Sequence, residues 1–347
     1  MGAVIAIHAE SGAFAAEWIA YCREKGIAFR EVDCFATDIT RQLQGCRALL
    51  WHWEHHDFEA QLFARQLITC AEVMGIHVFP SSATSWHYDD KVGQKYLLEA
   101  CGAPLVPSYV FYDKKTALMW VAETGFPKVW KLRGGAGSQN VRLLYSAREA
   151  RRIVLRAFGR GFGNSRLHAV KDRLWAFRRD RTVKAFLNIA RGIARVFVPH
   201  EKNARSPVQQ DYAYFQDFIA GNSFDIRVVV IGARAFAIKR LVREGDFRAS
   251  GSGCLIYSHG EIPTECVNIA FRVAGRLGSQ CCAFDFVSDG KSWLIVEISY
   301  AFTASAYKKC PGYWDSTLAW HDVPVTPERF MLDDLLASLQ AELAHDA

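Results

Sequence analysis

Ten cysteines occur in this 347-residue chain, yet no two form a CxxC pair. They read as reduced, mostly buried thiols, and their spacing excludes a zinc centre built on them. No stretch reaches the ~18 uncharged apolar residues of a membrane span. The N-terminal MGAVIAIHAESGAFAAEWIAYC has no basic leader, and Glu10 and Glu17 interrupt its apolar run, so a secretory signal is not expected. There is no internal repeat. Two nucleotide signatures also fail. Gly290-Lys291-Ser292 ends like a P-loop, but the position of its first glycine is Asp285. Gly134, Gly135 and Gly137 do not complete GxGxxG, and the loop that holds them joins two strands.

What is present is a folded, apolar chain, 50% hydrophobic and long enough for two or three cores. Its formal charge of +6 is unevenly placed. Between Arg148 and Arg205 there are 16 Lys or Arg against 4 Asp or Glu, so the remainder is net acidic. Within that basic tract Leu167, Val170, Leu174 and Phe177 step by three and four, as do Val183, Phe186, Ala190, Ile193 and Phe197. The spacing predicts two basic amphipathic helices. A solvated insertion with an oligomer contact is one reading, and binding to an anionic membrane surface or an acidic glycan through residues 166–197 is another. The tract carries no nucleic-acid motif, so charge alone supports only nonspecific contact there.

Residues 1–88 alternate strands and helices: VIAI (4–7), a helix near 13–25, IAFREV (27–32), ALLWHW (48–53), a helix near 57–74 and IHVF (76–79). That alternation predicts a small parallel α/β domain. A helix is expected from Asp89 to Cys101, then strand, glycine-rich loop and strand over 126–144. Strands follow from Asp211 onward, with a helix near 264–278.

The stretch AFDFVSDGKSWLIVEIS (283–299) places one carboxylate in each of two apolar strands. Asp285 and Glu297 need partners there, either a hard divalent cation or neighbouring Lys and Arg. Strand alternation puts both on one face only if the loop around Asp289-Gly290 holds an odd number of residues; a two-residue Asp-Gly turn would separate them. The glycine loop after Lys131 has the chemistry of a phosphate cover, since glycines let backbone N–H groups approach oxyanions and Ser138 adds a hydroxyl. Trp51-His52-Trp53-Glu54-His55-His56 is rich in metal-ligating types, but its spacing suits no standard site. It reads as the lining of a domain edge or as a substrate contact at the end of a parallel strand. Cys310-Pro311-Gly312-Tyr313-Trp314-Asp315 admits a packed loop or a place near the site.

Taken in order, Asp90-Lys91, Lys131 before GGAGS, Gln216-Asp217-Phe218-Ile219, Asp225-x-Arg227, Lys239-Arg240, Gly245-Asp246-Phe247-Arg248, Asp285 and Glu297-x-Ser299 resemble the ATP-grasp superfamily. The similarity is to carboxylate-amine ligases such as the ribosomal-protein glutamate ligase, and it runs from Asp89 to Phe302. The resemblance implies that Lys91 and Lys131 hold ATP phosphates under the loop of Gly134, Gly135, Gly137 and Ser138. It assigns Gln216, Asp217, Phe218 and Ile219 to the adenine connector and Asp225 to ribose. Arg248, with Lys239 or Arg240, would stabilise phosphoryl charge, and Asp285, Glu297 and Ser299 would hold Mg2+ or Mn2+. Ser299 stands where the family usually has Asn, and Asp217 where it usually has Glu. The tail, CPGYWD with Trp320-His321, is similar to ATP-grasp proteins of bacterial surface-polysaccharide clusters.

The expected fold is therefore α/β. A Rossmann-like pre-ATP-grasp domain (1–88) precedes a two-subdomain ATP-grasp fold, with a glycine-loop subdomain (89–205, basic insertion near 166–200) and a metal-site subdomain (206–347). The expected activity is Mg-ATP-dependent amide formation between a small-molecule or glycan carboxylate and an amine. The rivals are an ATP-grasp kinase acting on a hydroxyl, or a degenerate nucleotide-binding or membrane-associated scaffold. A cytoplasmic protein, peripheral at the inner face of a membrane and homodimeric, completes the expectation.

Overall fold

Strand β1 (Val4–His8) is apolar and almost wholly buried, as a strand covered on both faces must be. It is identified in a computed structural model that describes residues 4–9, 13–55, 57–134, 140–163, 207–242, 246–249 and 251–345. Helix α1 (Ala13–Lys25), β2 (Phe29–Val32), α2 (Ile39–Gln42), β3 (Cys46–Leu50), α3 (Phe58–Val73) and β4 (His77–Phe79) follow. The strands form a parallel sheet of order β2-β1-β3-β4. Short α4 (Ser82–Ser85) precedes α5 (Lys91–Ala100), which is capped by the Asp90 carboxylate accepting from the Gly93 N–H.

The chain divides into two compact units, one of residues 1–54, 61–107 and 219–347, the other of 55–60 and 108–218. These differ from the sequence boundaries. Helix α5 lies in the first unit because Val106 and Ile295 extend the fold by backbone hydrogen bonds from the 104–106 segment to β13 (Trp293–Ser299). The boundary at 205/206 lies outside the described residues.

The second unit contains β5 (Ser108–Phe111), α6 (Lys114–Glu123), β6 (Lys128–Lys131), β7 (Val141–Leu144), α7 (Ala147–Ala157) and β8 (Ala213–Asp217). Its sheet is antiparallel, in the order β5-β8-β6-β7. Helix α7 shows why the sequence folds this way. Ala150, Ile153, Val154 and Ala157 fall on one stripe and are buried, while its arginines lie off that stripe and Ser146 caps its start.

The first unit also holds an antiparallel sheet of β9 (Phe224–Ile231), β10 (Arg234–Leu241), β11 (Leu255–Ile256), β12 (Cys281–Ser288), β13, β14 (Tyr313–Asp315) and β15 (Trp320–His321). Its order is β13-β12-β9-β10-β14-β15, with β11 on β10. Helix α8 (Thr264–Leu277) lays Cys266, Val267, Ala270 and Val273 on the face that carries Ile226, Val228, Phe284 and Phe286. The opposite face, through Val229, Ile231, Phe236 and Ala283, shares a core with α1 and the terminal helix α9 (Pro327–His345). Strand β12 is thus covered on both sides. That is why CCAFDF is uninterrupted core apart from Asp285.

Candidate active site

Cross-strand partners share a face, and the register of the antiparallel sheet gathers the charges at one end of the face shared with α1 and α9. Asp225 on β9 is opposite Arg240 on β10, Arg227 on β9 is opposite Asp285 on β12, and Asp285 is opposite Glu297 on β13. The loop Asp289–Ser292 holds four residues, an even number, which by itself would have separated the two carboxylates. A β-bulge at Val296 shifts the ladder between Asp285 and Phe286 and restores them to one face. The faces therefore coincide through a bulge, and not through an odd-numbered loop.

The charges satisfy one another. Arg227 donates to both Asp285 oxygens, Nε to Oδ1 at 2.6 Å and Nη2 to Oδ2 at 3.0 Å. Arg240 donates to both Asp225 oxygens at 2.6 Å, and its Nη2 also reaches Asp285 Oδ1 at 3.0 Å. Lys91, buried at the start of α5, lies 3.0 Å from Glu297 Oε1. Burial alone would raise the Asp285 pKa, but Arg227 and Arg240 together hold its carboxyl below the usual carboxylate range. Burial likewise works against the Lys91 ammonium, and Glu297, Asp89 and Asp90 outweigh it and raise its pKa. Tyr307, fully buried beside this cluster, has its phenol pushed well up by burial.

Two of the expected catalytic cations pair with other carboxylates. Lys239 neighbours Arg240 on β10, so alternation turns it to the other face, where it pairs with Glu261 at 2.7 Å over the Phe224 ring. Sequence reasoning offered Lys239 and Arg240 as alternatives; the pleat puts Arg240 alone on the face of Asp225 and Asp285. Arg248 folds onto Asp246 of its own loop, with Nη2 to Oδ2 at 2.7 Å. The residue that reasoning missed is Arg227, which was quoted within Asp-x-Arg and given no role. Its two-residue spacing from Asp225 already placed the two on one face.

Asp285 and Glu297, two carboxylates directly opposed on one face, have the hard oxygen chemistry that suits Mg2+. Ser299 contributes less, because its Oγ donates to the Ala301 carbonyl at 2.8 Å and accepts from the Ala301 N–H. Among the described residues no group of three or more His, Cys, Asp or Glu is placed to hold a metal. The two carboxylates thus fit a cation as a pair, with remaining ligands to come from other oxygens.

In the second unit, Lys131 and Gln216 are buried on one face of the sheet, where Gln216 Nε2 donates to Ser108 Oγ at 3.0 Å. Asp217 is on the other face and pairs with Lys128 at 2.5 Å. Phe218 follows the end of β8. In the first unit the Ile219 carbonyl accepts from Asn222, whose amide also bonds the Ser288 backbone in both directions at 2.9 Å. Gly134 is described; Gly135, Gly137, Ser138 and the basic tract 166–200 lie outside the described residues.

The Trp51-His52-Trp53 stretch follows β3 and is core. Trp53 packs on Tyr88 and Tyr300, and His52 packs on Phe14 at 4.3 Å, with its Nδ1 3.4 Å from the Tyr300 hydroxyl. Burial pushes the His52 pKa down to about 4. CPGYWD is a packed hairpin at the sheet edge. Cys310 Sγ donates to the Ala237 carbonyl, and Trp314 meets Trp320 edge to face. All ten cysteines are free thiols.

Residues 182–310 match the model of the RimK-like ATP-grasp domain. No curated protein sequence matches the chain. Among solved structures, the RimK domain protein ATP-grasp from Sphaerobacter thermophilus DSM 20745 is 16% identical, with a TM-score of 0.51 over 88% of this chain and 93% of that one. The ATP-grasp ligase PsnB, complexed with minimal precursor, is 15% identical, with a TM-score of 0.55 over 97% and 99%. D-cycloserine synthetase DcsG is 14% identical, with a TM-score of 0.54 over 87% and 92%. The chain has the ATP-grasp fold, a parallel N-terminal sheet followed by antiparallel sheets.

Proposed function

We propose that the protein is an ATP-dependent carboxylate-amine ligase. The observation that carries this reading is the set of three cations and three carboxylates (Lys91, Arg227, Arg240, Asp225, Asp285, Glu297) on one sheet face and the helix beside it, in a chain of ATP-grasp fold. Phosphoryl transfer asks a protein for cations at the phosphate oxygens, an aligned acceptor and little covalent chemistry. Lys91 and Arg240 supply such cations. Asp285 and Glu297 would hold Mg2+, or Mn2+, which when bound neutralises charge on phosphate oxygens. A substrate carboxylate oxygen attacks the γ-phosphorus and the bond to ADP breaks. The amine nitrogen then attacks the acyl carbon, loses a proton, and expels phosphate to leave the amide.

The finer reading joins an amino acid to a sugar acid, in keeping with the polysaccharide-type tail. It includes a homodimer and peripheral membrane contact through 166–197. Hydroxylamine trapping tests the ligase directly. With a uronic acid, ATP and Mg2+, the protein should yield a hydroxamate and ADP in equal amounts. ADP production on that acid without hydroxamate would point instead to a kinase acting on a hydroxyl.

A further inference from the structure

Helix α5 buries Lys91, Gln94 and Leu98 in one stripe, and two of these are polar. Leu98 belongs to the core around α8. Gln94 stands between it and Lys91 and is 3% exposed, so both ends of its amide need partners. Its Nε2 donates to the His87 carbonyl just before the helix, at 3.1 Å. Its Oε1 accepts from the Ile298 N–H on β13, at 3.4 Å. One partner can only accept and the other can only donate, so the amide has a single orientation.

Ile298 is next to Glu297, just past the bulge that shifts the ladder to β12. Strand β13 is also an edge of its sheet. Before the bulge its open side is held by backbone bonds, from the Ile295 N–H to the Pro104 carbonyl at 2.7 Å and from the Val106 N–H to the Ile295 carbonyl at 2.9 Å. Past the bulge the Ile298 N–H faces outward, and Gln94 meets it. The apolar pattern selects the face, because Ile295 and Ile298 both enter the α8 core and leave Glu297 opposite Asp285. It does not set how far Glu297 stands from α5. Two neighbouring contacts span that gap, Lys91 with Glu297 at 3.0 Å and Gln94 with Ile298. The first joins charges that the ligase reading gives to phosphate and to metal. The second is neutral, and a charged ligand leaves it in place.

We propose that Gln94 is a positioning residue for the metal pair. It pins the bulged end of β13 to α5, and so keeps Glu297 opposite Asp285 when Lys91 and Glu297 engage their ligands. The inference rests on the ligase reading for the role of Glu297.

The test measures Mn2+ binding to the full chain in the presence of ADP, following the free aquo ion by electron paramagnetic resonance, with no turnover. Gln94→Met, which matches the length of the side chain but loses the amide, should weaken Mn2+ binding ~10-fold, as loss of a group that orients a metal ligand does. Glu297→Gln should also weaken it, and adding Gln94→Met to that variant should cost almost nothing further, because the charge to be positioned is gone. A merely structural role would give the same loss in both backgrounds. That result, or unchanged binding in Gln94→Met, overturns the proposal. Should Gln94→Met fail to fold, Gln94→Asn, which keeps the amide but draws it back by a methylene, carries the same comparison. The wild type distinguishes the two levels. If it binds Mn2+ with ADP and Gln94→Met binds equally well, only the positioning role fails; if the wild type does not bind ADP with Mn2+, the ligase reading fails and takes this one with it.

Discussion

Acid should destabilise this protein above the pH at which Asp285 titrates, and the cause lies in two histidines, His87 buried and His52 half-buried among aromatic rings. His52 and His87 both have pKa values pushed down to about 4 by burial, against 6.5 for an ordinary histidine. His52 is stacked on Phe14 and faces the Tyr300 hydroxyl. His87 has both ring nitrogens buried without a hydrogen-bond partner among the described residues. As pH falls, the unfolded chain takes up these protons first, so the stability contributed by the neutral rings is full above pH 6.5 and drains away toward pH 4. At pH 5 the linkage relation gives a loss of about 2 kcal/mol per ring, hence roughly 4 kcal/mol for the pair, against a few tenths each at pH 7. That is a large share of the ~5–15 kcal/mol that holds a typical protein folded.

The window separates the effect from Asp285, whereas on the same face burial raises the Asp225 pKa. Asp285 is held below the carboxylate range, so its contribution is lost only as pH falls below about 4. Urea denaturation followed by circular dichroism at pH 7, 6 and 5 should show the midpoint falling steeply. In the His52→Gln/His87→Gln double variant the fall should be largely removed. A wild-type midpoint that stays level between pH 7 and 5, or an equally steep fall in the double variant, would refute the reasoning.

Two further outcomes follow from geometry. A side-chain carbon at Gly312 would sit 2.1 Å from the His321 carbonyl oxygen and 2.7 Å from the Trp320 ring, so Gly312→Ala should cost about 2 kcal/mol or more, read as a lower urea midpoint. Lys239→Met and Arg240→Met should differ sharply in ADP binding measured by calorimetry with Mg2+. Loss of Arg240 should weaken it ~10-fold or more, as removal of a charged hydrogen-bond partner does, while Lys239 should matter little. Equal effects would mean that the strand's pleat does not decide which cation serves the site.

Much of the architecture was legible because the local signals agreed. The βα alternation of the first 79 residues, the Asp90 cap of α5 and the αL glycine at 278 that ends α8 each rest on short-range chemistry. The charged face was legible only in part, and parity explains why. Face assignment on a strand follows from counting residues, so Asp225 and Arg227 could be placed together and Lys239 apart from Arg240. Counting fails at a bulge. Nothing in WLIVEIS announces that Val296 is extra, yet that residue decides whether Glu297 meets Asp285 or the α8 core. The compact units were illegible for a similar reason, since α5 joins β13 through a contact 204 residues apart in sequence.

The question left open by the sequence, metal ligands or structural ion pairs at Asp285 and Glu297, is therefore not a choice between exclusive answers. Asp285, buried on a sheet face, must be neutralised for the chain to fold, whatever it later binds, and Glu297 beside it pairs with the buried Lys91. Arg227, Arg240 and Lys91 are the partners of these carboxylates, and Lys91 and Arg240 are also the cations a polyphosphate would need. A site built from mutually satisfied opposites folds without its ligands and gives up little charge pairing when an oppositely charged pair of ligands arrives. The same argument makes Asp225 informative. Its carboxylate shares Arg240 with Asp285, so any movement of Arg240 toward phosphate would release Asp225 for hydroxyl groups in the same step. Ribose recognition and phosphate recognition would then be coupled through one guanidinium.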